Sequence, residues 1–283
     1  MKHGIFLPPF DEMADPRRVA ALAADAEQAG WDGLYVWDHI LAEPGMAVAD
    51  PWVTMAAIAT ATTRLRTGPM VTPLARRRPQ VLARQIATLD QLSGGRLTVG
   101  IGLGDDGWRE FSAFGDETSA RERGAMLDES LQVITSFLTG NVVDFAGRHY
   151  TIDAAQLVPR PVQDPVPFWA AVRWPNHKPL ARSARLQGCF PIFKDSGQLP
   201  APPAVADLAA LRAALTDLNA PRSHDLVVRV ALHRLAPDAR ADAAAAMADA
   251  GVTWLLEAFA PGHEAAQIEA HVRSGPPSGT LGR

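Results

Sequence analysis

The 283-residue chain is poor in several features, and each absence narrows what it can be. Its one cysteine, Cys189, allows neither an internal disulfide nor a CxxC metal motif, which fits a reducing compartment. No H-E-x-x-H, His-x-His or carboxylate cluster is present to ligate a metal, so no metal site is expected. A G-x-S-x-G nucleophile turn and a Walker phosphate loop are both missing. No apolar run approaches the roughly 18 residues of a membrane span. The opening MKHGIFLPPF has a short apolar run broken by Pro8 and Pro9, too short for a secretory signal. The net charge of −4 gives no general attraction to nucleic acid or to an anionic membrane. These absences point to a soluble, cytoplasmic protein. What remains is ordinary globular material, 47% hydrophobic and 20% charged, long enough for one large domain or two small ones.

Along the chain, short β-type runs alternate with amphipathic helical stretches. GIFLP (4–8) precedes a helix with Asp15 as N-cap, Pro16 in its first turn, an apolar face of Val19, Leu22, Ala23 and Ala26, and Gly30 as its stop. LYVW (34–37) is a second strand, followed by a helix over 51–62. LRTGPMV (65–71) is a third strand. It leads to a helix opened by Pro79, faced by Leu82, Ile86 and Leu89, and closed by Gly94-Gly95. LTVGIGL (97–103) is a fourth. After it comes a long helix with Ser119 and Glu122 as a capping box and Leu127, Leu131, Ile134 and Leu138 along one face. The rhythm breaks after Gly140 in a small β-excursion with several prolines. It resumes with strands at 168–172, 188–193, 226–232 and 253–259 and helices near 177–187, 204–218, 239–250 and 263–273. Eight strand–helix units are the count of a (β/α)8 TIM barrel, a single domain over 1–273, with the Gly/Pro-rich residues 274–283 as a loose tail. The rival is a doubly wound sheet, but no G-x-G-x-x-G follows the first strand.

Barrels of this kind place chemistry at the C-terminal ends of their strands. Here the second strand ends in Asp38-His39, the third carries Gly68-Pro69 and Thr72-Pro73, and the fourth ends in Gly102, Gly104, Asp105 and Asp106, with Trp108 behind. The fifth runs into Arg173, Trp174, Pro175 and Asn176. Each has a plain structural explanation. A strand-end histidine is commonly solvated, Asp105-Asp106 is a loop or cap pair, and Gly68-Pro69 is a bulge or terminator. Asn176 is first of all an N-cap, and Arg76-Arg77-Arg78 reads as a solvated rim. Gathered at one barrel mouth, an imidazole, carboxylates, glycines and aromatic faces suit a flat polar cofactor.

RLRTGPMVTPLARRRPQVLARQIATLDQLSGGRLTVGIGLG (64–104) resembles the bacterial luciferase-like monooxygenase family, most specifically in QIATLDQLSGGR and the G-x-G strand end that follows. FAGRHYTI…LVPRPVQDPVPFWAA is similar to that family's β-excursion, and the likeness runs from residue 1 to about 272. The resemblance implies a TIM barrel with insertions after strands four and six, and an oxidoreductase of flavin or deazaflavin. WDHI is similar to the deazaflavin branch, which implies coenzyme F420 as cofactor and hydride transfer to or from a small organic substrate. FMN, with oxygen activation by a monooxygenase, is the alternative, and a non-catalytic ligand-binding barrel is a third reading.

By the same resemblance His39 and Asp105 are the catalytic candidates. The cofactor-binding candidates are Asp38, His39, Pro69, Met70, Thr72, Gly104, Asp105, Val172, Arg173 and Asn176. Asp38 would orient the imidazole or touch the cofactor. A non-prolyl cis bond between Pro69 and Met70 would form a bulge behind the ring, with Thr72 beside it. The Val172–Asn176 loop would hold the cofactor phosphate, with Trp37, Trp108 and Trp174 walling the substrate pocket. A homodimer is expected by family likeness. The chain departs from the pattern in having Val172, Arg173 and Trp174 where glycines are common, Gln187-Gly188 in place of Asp-Gly, and a short segment over 194–203.

Overall fold

The first helix shows how local chemistry sets the architecture. The Asp15 carboxylate accepts from the Arg17 N–H at 2.9 Å, and Pro16 opens α1 (Pro16–Ala29). Gly30, at φ 92°, ends it by donating to Ala26 and Glu27 carbonyls. Val19, Leu22, Ala23 and Ala26 are buried, as their spacing predicts. A computed structural model describes residues 1–194 and 197–277 of the chain.

Around that unit the chain runs β1 (Lys2–Leu7), α1, β2 (Gly33–Val36), α2 (Pro51–Ala61), β3 (Arg66–Pro69), β4 (Thr72–Pro73), α3 (Pro79–Ser93), β5 (Val99–Gly102) and α4 (Ala120–Leu138). The β-excursion is an antiparallel hairpin of β6 (Val142–Ala146) and β7 (Thr151–Gln156). Glu129 of α4 tethers its turn by accepting from the N–H groups of Arg148, His149 and Tyr150. Then follow β8 (Phe168–Arg173), α5 (His177–Ser183), β9 (Gly188–Ile192), α6 (Val205–Asp217), β10 (Asp225–Val230), α7 (Pro237–Asp249), β11 (Trp254–Ala258) and α8 (Ala265–Arg273).

Nine parallel strands lie in the order β3-β2-β1-β11-β10-β9-β8-β5-β4. β3 and β4 are halves of the single third strand expected from sequence, so nine strands fill eight barrel positions. The seam closes because the Thr98 N–H donates to the Thr67 carbonyl at 2.9 Å and Thr67 bridges Leu97. The fold is the (β/α)8 barrel, with the β6–β7 hairpin inserted after the fourth position. After the sixth position β9 ends at Ile192 and the next helix, α6, begins at Val205.

Toward the N-terminal ends of the strands the interior is filled by Tyr35, Trp169 and Trp254, whose ring centroids lie 5.3–5.7 Å apart. Burying rings of this size contributes on the order of 4–6 kcal/mol each as an upper bound. The barrel is plugged below and can open only above.

Three local readings need correction. The helix expected over 177–187 ends at Ser183. The capping box at Ser119 is half made: Ser119 accepts from Glu122, but its own N–H goes to Glu117, and Glu122 pairs with Arg148. Of the expected tail, Ser274 and Gly275 close α8 by donating to carbonyls of its last turn, and 278–283 lie outside the described residues.

Candidate active site

At the C-terminal mouth of the barrel is a cavity of about 1490 Å³. β2 delivers Trp37, Asp38 and His39 to it in succession, because the strand ends at Val36 and the chain turns outward. His39 Nδ1 lies 2.7 Å from Glu110 Oε2. The other oxygen of Glu110 accepts from Arg76 at 2.7 Å and from the Ile40 N–H at 2.6 Å. Burial pushes the Glu110 carboxyl up, but its bonds to His39, to the Ile40 N–H and its attraction to Arg76 outweigh this and hold it below the usual range. A carboxylate in that state accepts, so His39 donates from Nδ1 and keeps Nε2 as the other ring nitrogen on the cavity it lines. Trp108 packs edge-on against the imidazole at 4.8 Å, with Phe10 and Trp37 at 5.9 and 5.8 Å. The ring is fixed in both tautomer and plane.

Asp38, although it borders the cavity, is tied down beneath it. Its carboxylate accepts from Arg76, Arg77, Thr72 and Trp52. Burial raises its pKa, and Arg77 and Arg76 more than reverse this. Asp38 therefore anchors the two arginines, and Glu110, which the sequence reading missed, orients the imidazole. Arg76 is the link, since one guanidinium spans Asp38 and Glu110. The arginine run is correspondingly no solvated rim: the Arg76 side chain is 4% exposed and that of Arg77 16%. Two buried carboxylates supply the reason: Asp38, just after β2, pairs with both arginines, and Glu110, in the turn after β5, pairs with Arg76.

The cis bond of the third position joins Met70 and Val71, one residue later than expected. Val36 pairs with Pro69, and the Met70 N–H still donates to the Val36 carbonyl at 2.8 Å, so the ladder with β2 runs through Met70. The ladder with β5 begins at Thr72, opposite Ile101. The bulge occupies the change of partner. Gly100 and Gly102 of β5 make room for it: a Cβ on Gly100 would lie 2.5 Å from the Pro69 carbonyl, and one on Gly102 2.6 Å from Val71. The GIGLG run is a packing device for the bulge.

Met70, Gly104, Asp105, Arg173, Trp174 and Asn176 line the cavity together with Trp37, Asp38 and His39. Pro69, Thr72 and Val172 do not. Pro69 belongs to the β3 ladder, the Thr72 hydroxyl donates to Asp38, and the Val172 side chain is buried in a cluster with Leu180, Cys189 and Leu208. Trp108 acts on the site through His39. Asp105 is an exposed rim carboxylate that caps the Gly107 N–H at 2.7 Å. Asn176 takes the N-cap position of α5 without a side-chain cap bond, and Trp174–Pro175 is cis. On this side the lining is cationic, with Arg121, Arg173, Lys178 and Lys194 around the opening.

Residues 1–269 match the family model described as luciferase-like monooxygenase. The chain belongs to the luciferase-like monooxygenase family. It is 36% identical over 168 residues to an F420-dependent glucose-6-phosphate dehydrogenase of Amycolatopsis mediterranei, a match covering 58% of this chain and 50% of the other. The chain thus spans about half the length of the curated dehydrogenases it matches. Two solved structures share the barrel over nearly their whole length. The coenzyme F420-dependent tetrahydromethanopterin reductase of Methanopyrus kandleri has a TM-score of 0.75 at 18% identity, covering 97% of this chain and 98% of that one. A monooxygenase of Streptomyces bottropensis has a TM-score of 0.80 at 18% identity, covering 96% and 97%. Among the described residues no helix is long and apolar enough to cross a membrane, and no group of ligating side chains is arranged for a metal ion.

Proposed function

We propose that this chain is an oxidoreductase of a single domain over 1–273, dependent on coenzyme F420, that transfers hydride to or from a small organic substrate. The observation that carries the reading is His39, pinned through Nδ1 on Glu110 at the edge of the large cavity. The F420-dependent relatives support the choice of cofactor.

The residues present fit a flat, phosphate-bearing cofactor. The Met70–Val71 bulge and Gly104 give one wall without long polar side chains, and Arg121, Arg173 and Lys178 give an opening matched to negative charge. Met70, Val71 and Gly104 would hold the ring side, and Arg173 and Asn176 the phosphate. When bound, the deazaflavin supplies a two-electron hydride carrier.

The chain's own part is the proton that accompanies the hydride. His39 Nε2, the ring nitrogen left free by the bond to Glu110, is the group placed to deliver or accept it. Glu110 holds Nδ1 as the donor and so leaves Nε2 as the ring nitrogen for the cavity. Asp105, exposed at the rim, is the second candidate to relay a proton to solvent. Trp37 and Trp174 exclude water from the cavity, and Trp108 keeps the imidazole from turning.

Tryptophan fluorescence tests the reading, because Trp37, Trp108 and Trp174 surround the site. Titration with F420 is expected to quench emission with a micromolar midpoint, and FMN to bind more weakly. Tighter binding of FMN, with oxygen consumption by the reduced complex, would instead support a monooxygenase. Failure to bind either would leave a barrel for some other ligand. A cytoplasmic homodimer goes with this proposal, and sedimentation of the purified chain tests the dimer.

A further inference from the structure

A second polar cavity, of about 470 Å³, lies away from the large one, between the barrel wall and α8. The turn after β10, the loop after β11 and α8 enclose it, at the seventh and eighth barrel positions. The residues lining it are distinct from those of the large cavity. Its polar lining is His233, Arg234, His263, Gln267 and His271, with no carboxylate among the described residues that line it. Behind it Glu257 of β11, 1% exposed, holds His233 Nδ1 at 2.8 Å and accepts the His233 backbone N–H at 3.1 Å. Its second oxygen faces His271 Nε2 across 3.7 Å, an ion-pair separation too long for a hydrogen bond.

Three buried atoms here have no hydrogen-bond partner: His233 Nε2, His271 Nε2 and Glu257 Oε2. Such atoms are rare in folded proteins and call for a ligand or ordered water. The His233 ring is held for one. It stacks on Phe259 at 5.2 Å and 19°, and Glu257 fixes Nδ1 as its donor to the protein. His263 has its Nδ1 engaged with the Ala260 backbone, so its other nitrogen is the one left for a ligand.

We propose that this cavity is a second ligand site, for a small oxyanion of the phosphate-ester class. An anion in the cavity would lie beside the His233 ring, which Glu257 holds in place through Nδ1. Arg234 supplies a planar fork of donors, and His263, His271 and Gln267 add further nitrogen donors. Five side chains offer more donors than a carboxylate's two oxygens use, and they match a tetrahedral oxyanion. Charge sign points the same way, since the wall carries imidazoles and a guanidinium and its one negative charge sits behind His233. The site also has a physical route to the large cavity: Gly197 and Gln198 line that cavity, and the next residue, Leu199, lines this one.

The test is titration of the full chain with inorganic phosphate, followed by the side-chain 15N resonances of the histidines. The resonances of His233, His263 and His271 are expected to move together and saturate at millimolar phosphate. The double substitution Arg234→Gln with His263→Gln removes two donors from the cavity edge and leaves the buried Glu257–His233 pair in place. Its phosphate affinity is expected to fall about tenfold or more, the usual effect of losing charge-assisted hydrogen bonds. Arg173→Gln, in the large cavity, is expected to leave the three resonances responding as before. Succinate is the carboxylate probe and is expected to bind more weakly. Shifts confined to His39, no saturation in the unsubstituted chain, or unchanged affinity in the double variant would each overturn the site. Equal binding of succinate would overturn the assignment to phosphate. The readout needs no cofactor, so failure of the F420 reading leaves this test intact.

Discussion

Two buried glutamates in this barrel each hold a histidine by Nδ1, Glu110 to His39 at 2.7 Å and Glu257 to His233 at 2.8 Å. The similarity stops at the second oxygen. Glu110 Oε1 is saturated by Arg76 and by backbone N–H groups of the turn it stabilises, and Arg76 is itself anchored on Asp38. Glu257 Oε2 has no hydrogen-bond partner, and neither does the far nitrogen of its histidine. The first network is complete within the protein, which preorganises an imidazole for proton transfer. The second is complete only with something added. A saturated carboxylate–histidine pair marks positioning, and an unsaturated one marks a vacancy for a ligand.

Breaking the first network is expected to have the largest effect on stability. Asp38→Asn leaves Arg76 and Arg77 buried beside an uncharged amide, and losing one partner of a buried ion pair typically costs about 3–5 kcal/mol. Urea unfolding measures it. A loss below about 1 kcal/mol would show that water enters readily and that the arginines are not confined as their burial implies.

Next come the effects on turnover. With the cofactor bound, His39→Ala is expected to lower kcat by about 10²-fold or more, the usual contribution of a positioned acid–base group. Glu110→Gln is expected to lower it by about 10- to 100-fold, the range for residues that orient a working side chain. Cofactor affinity should change little in either. The two substitutions differ in kind: Glu110→Gln keeps the imidazole but loses the carboxylate that holds Nδ1, so kcat is expected to fall with KM little changed. An unchanged kcat in Glu110→Gln would remove Glu110 from the role of positioning residue.

Glu110 was also the least legible part of the site. The helices could be read from Asp15, Pro16, Gly30 and Gly94, since caps and breakers act locally and survive any tertiary context. The barrel followed from counting alternations. His39 stood out because it ends an apolar strand, whereas Glu110 lies in a turn after β5 and meets His39 only through the fold. A signal was present in WREF: Glu110 is a lone acid between Trp108 and Phe111, and an acid in an aromatic turn needs a partner. Arg76 and Arg77 were misread for the complementary reason. Three adjacent arginines look like surface until two buried carboxylates claim two of them. The cis bond was misplaced by one residue because its position depends on where one ladder hands over to the next, which no residue type encodes.

On the other side of the comparison, Glu257→Gln is expected to cost about 1–3 kcal/mol, the range for a buried hydrogen bond to a charged group. That is less than for Asp38→Asn, because Glu257 already has one oxygen without a hydrogen bond and no arginine depends on it. Thermal or urea unfolding of the two variants side by side ranks them. A larger loss at Glu257 would mean that this network, too, is closed within the protein.

Acid titration gives the smallest and most discriminating difference. Burial raises the pKa of Glu257, and its bonds to His233 with the nearby His271 lower it further than burial raises it. The folded-state value is therefore depressed below the unfolded value of about 4.3. For a depressed acid the stabilisation is fully present above the unfolded pKa and is lost as pH falls through the folded pKa, because the unfolded chain binds the proton first. Each such carboxylate contributes a slope of at most about 1.4 kcal/mol per pH unit in that window. Asp38 and Glu110 are depressed in the same direction and act over the same range. The unfolding free energy should thus be nearly flat from pH 7 to about pH 5 as far as these carboxylates are concerned, and fall below it. Glu257→Gln should make the acid limb shallower, leaving the part due to Asp38, Glu110 and the other depressed carboxylates, Glu27 foremost. Phosphate provides the sharper contrast: in the unsubstituted chain it should raise stability at pH 6 through the second cavity, and in the Arg234→Gln, His263→Gln variant it should not. Equal stabilisation of both proteins would mean that the vacancy beside His233 is filled by water alone, and that the two glutamate–histidine pairs differ in hydration rather than in purpose.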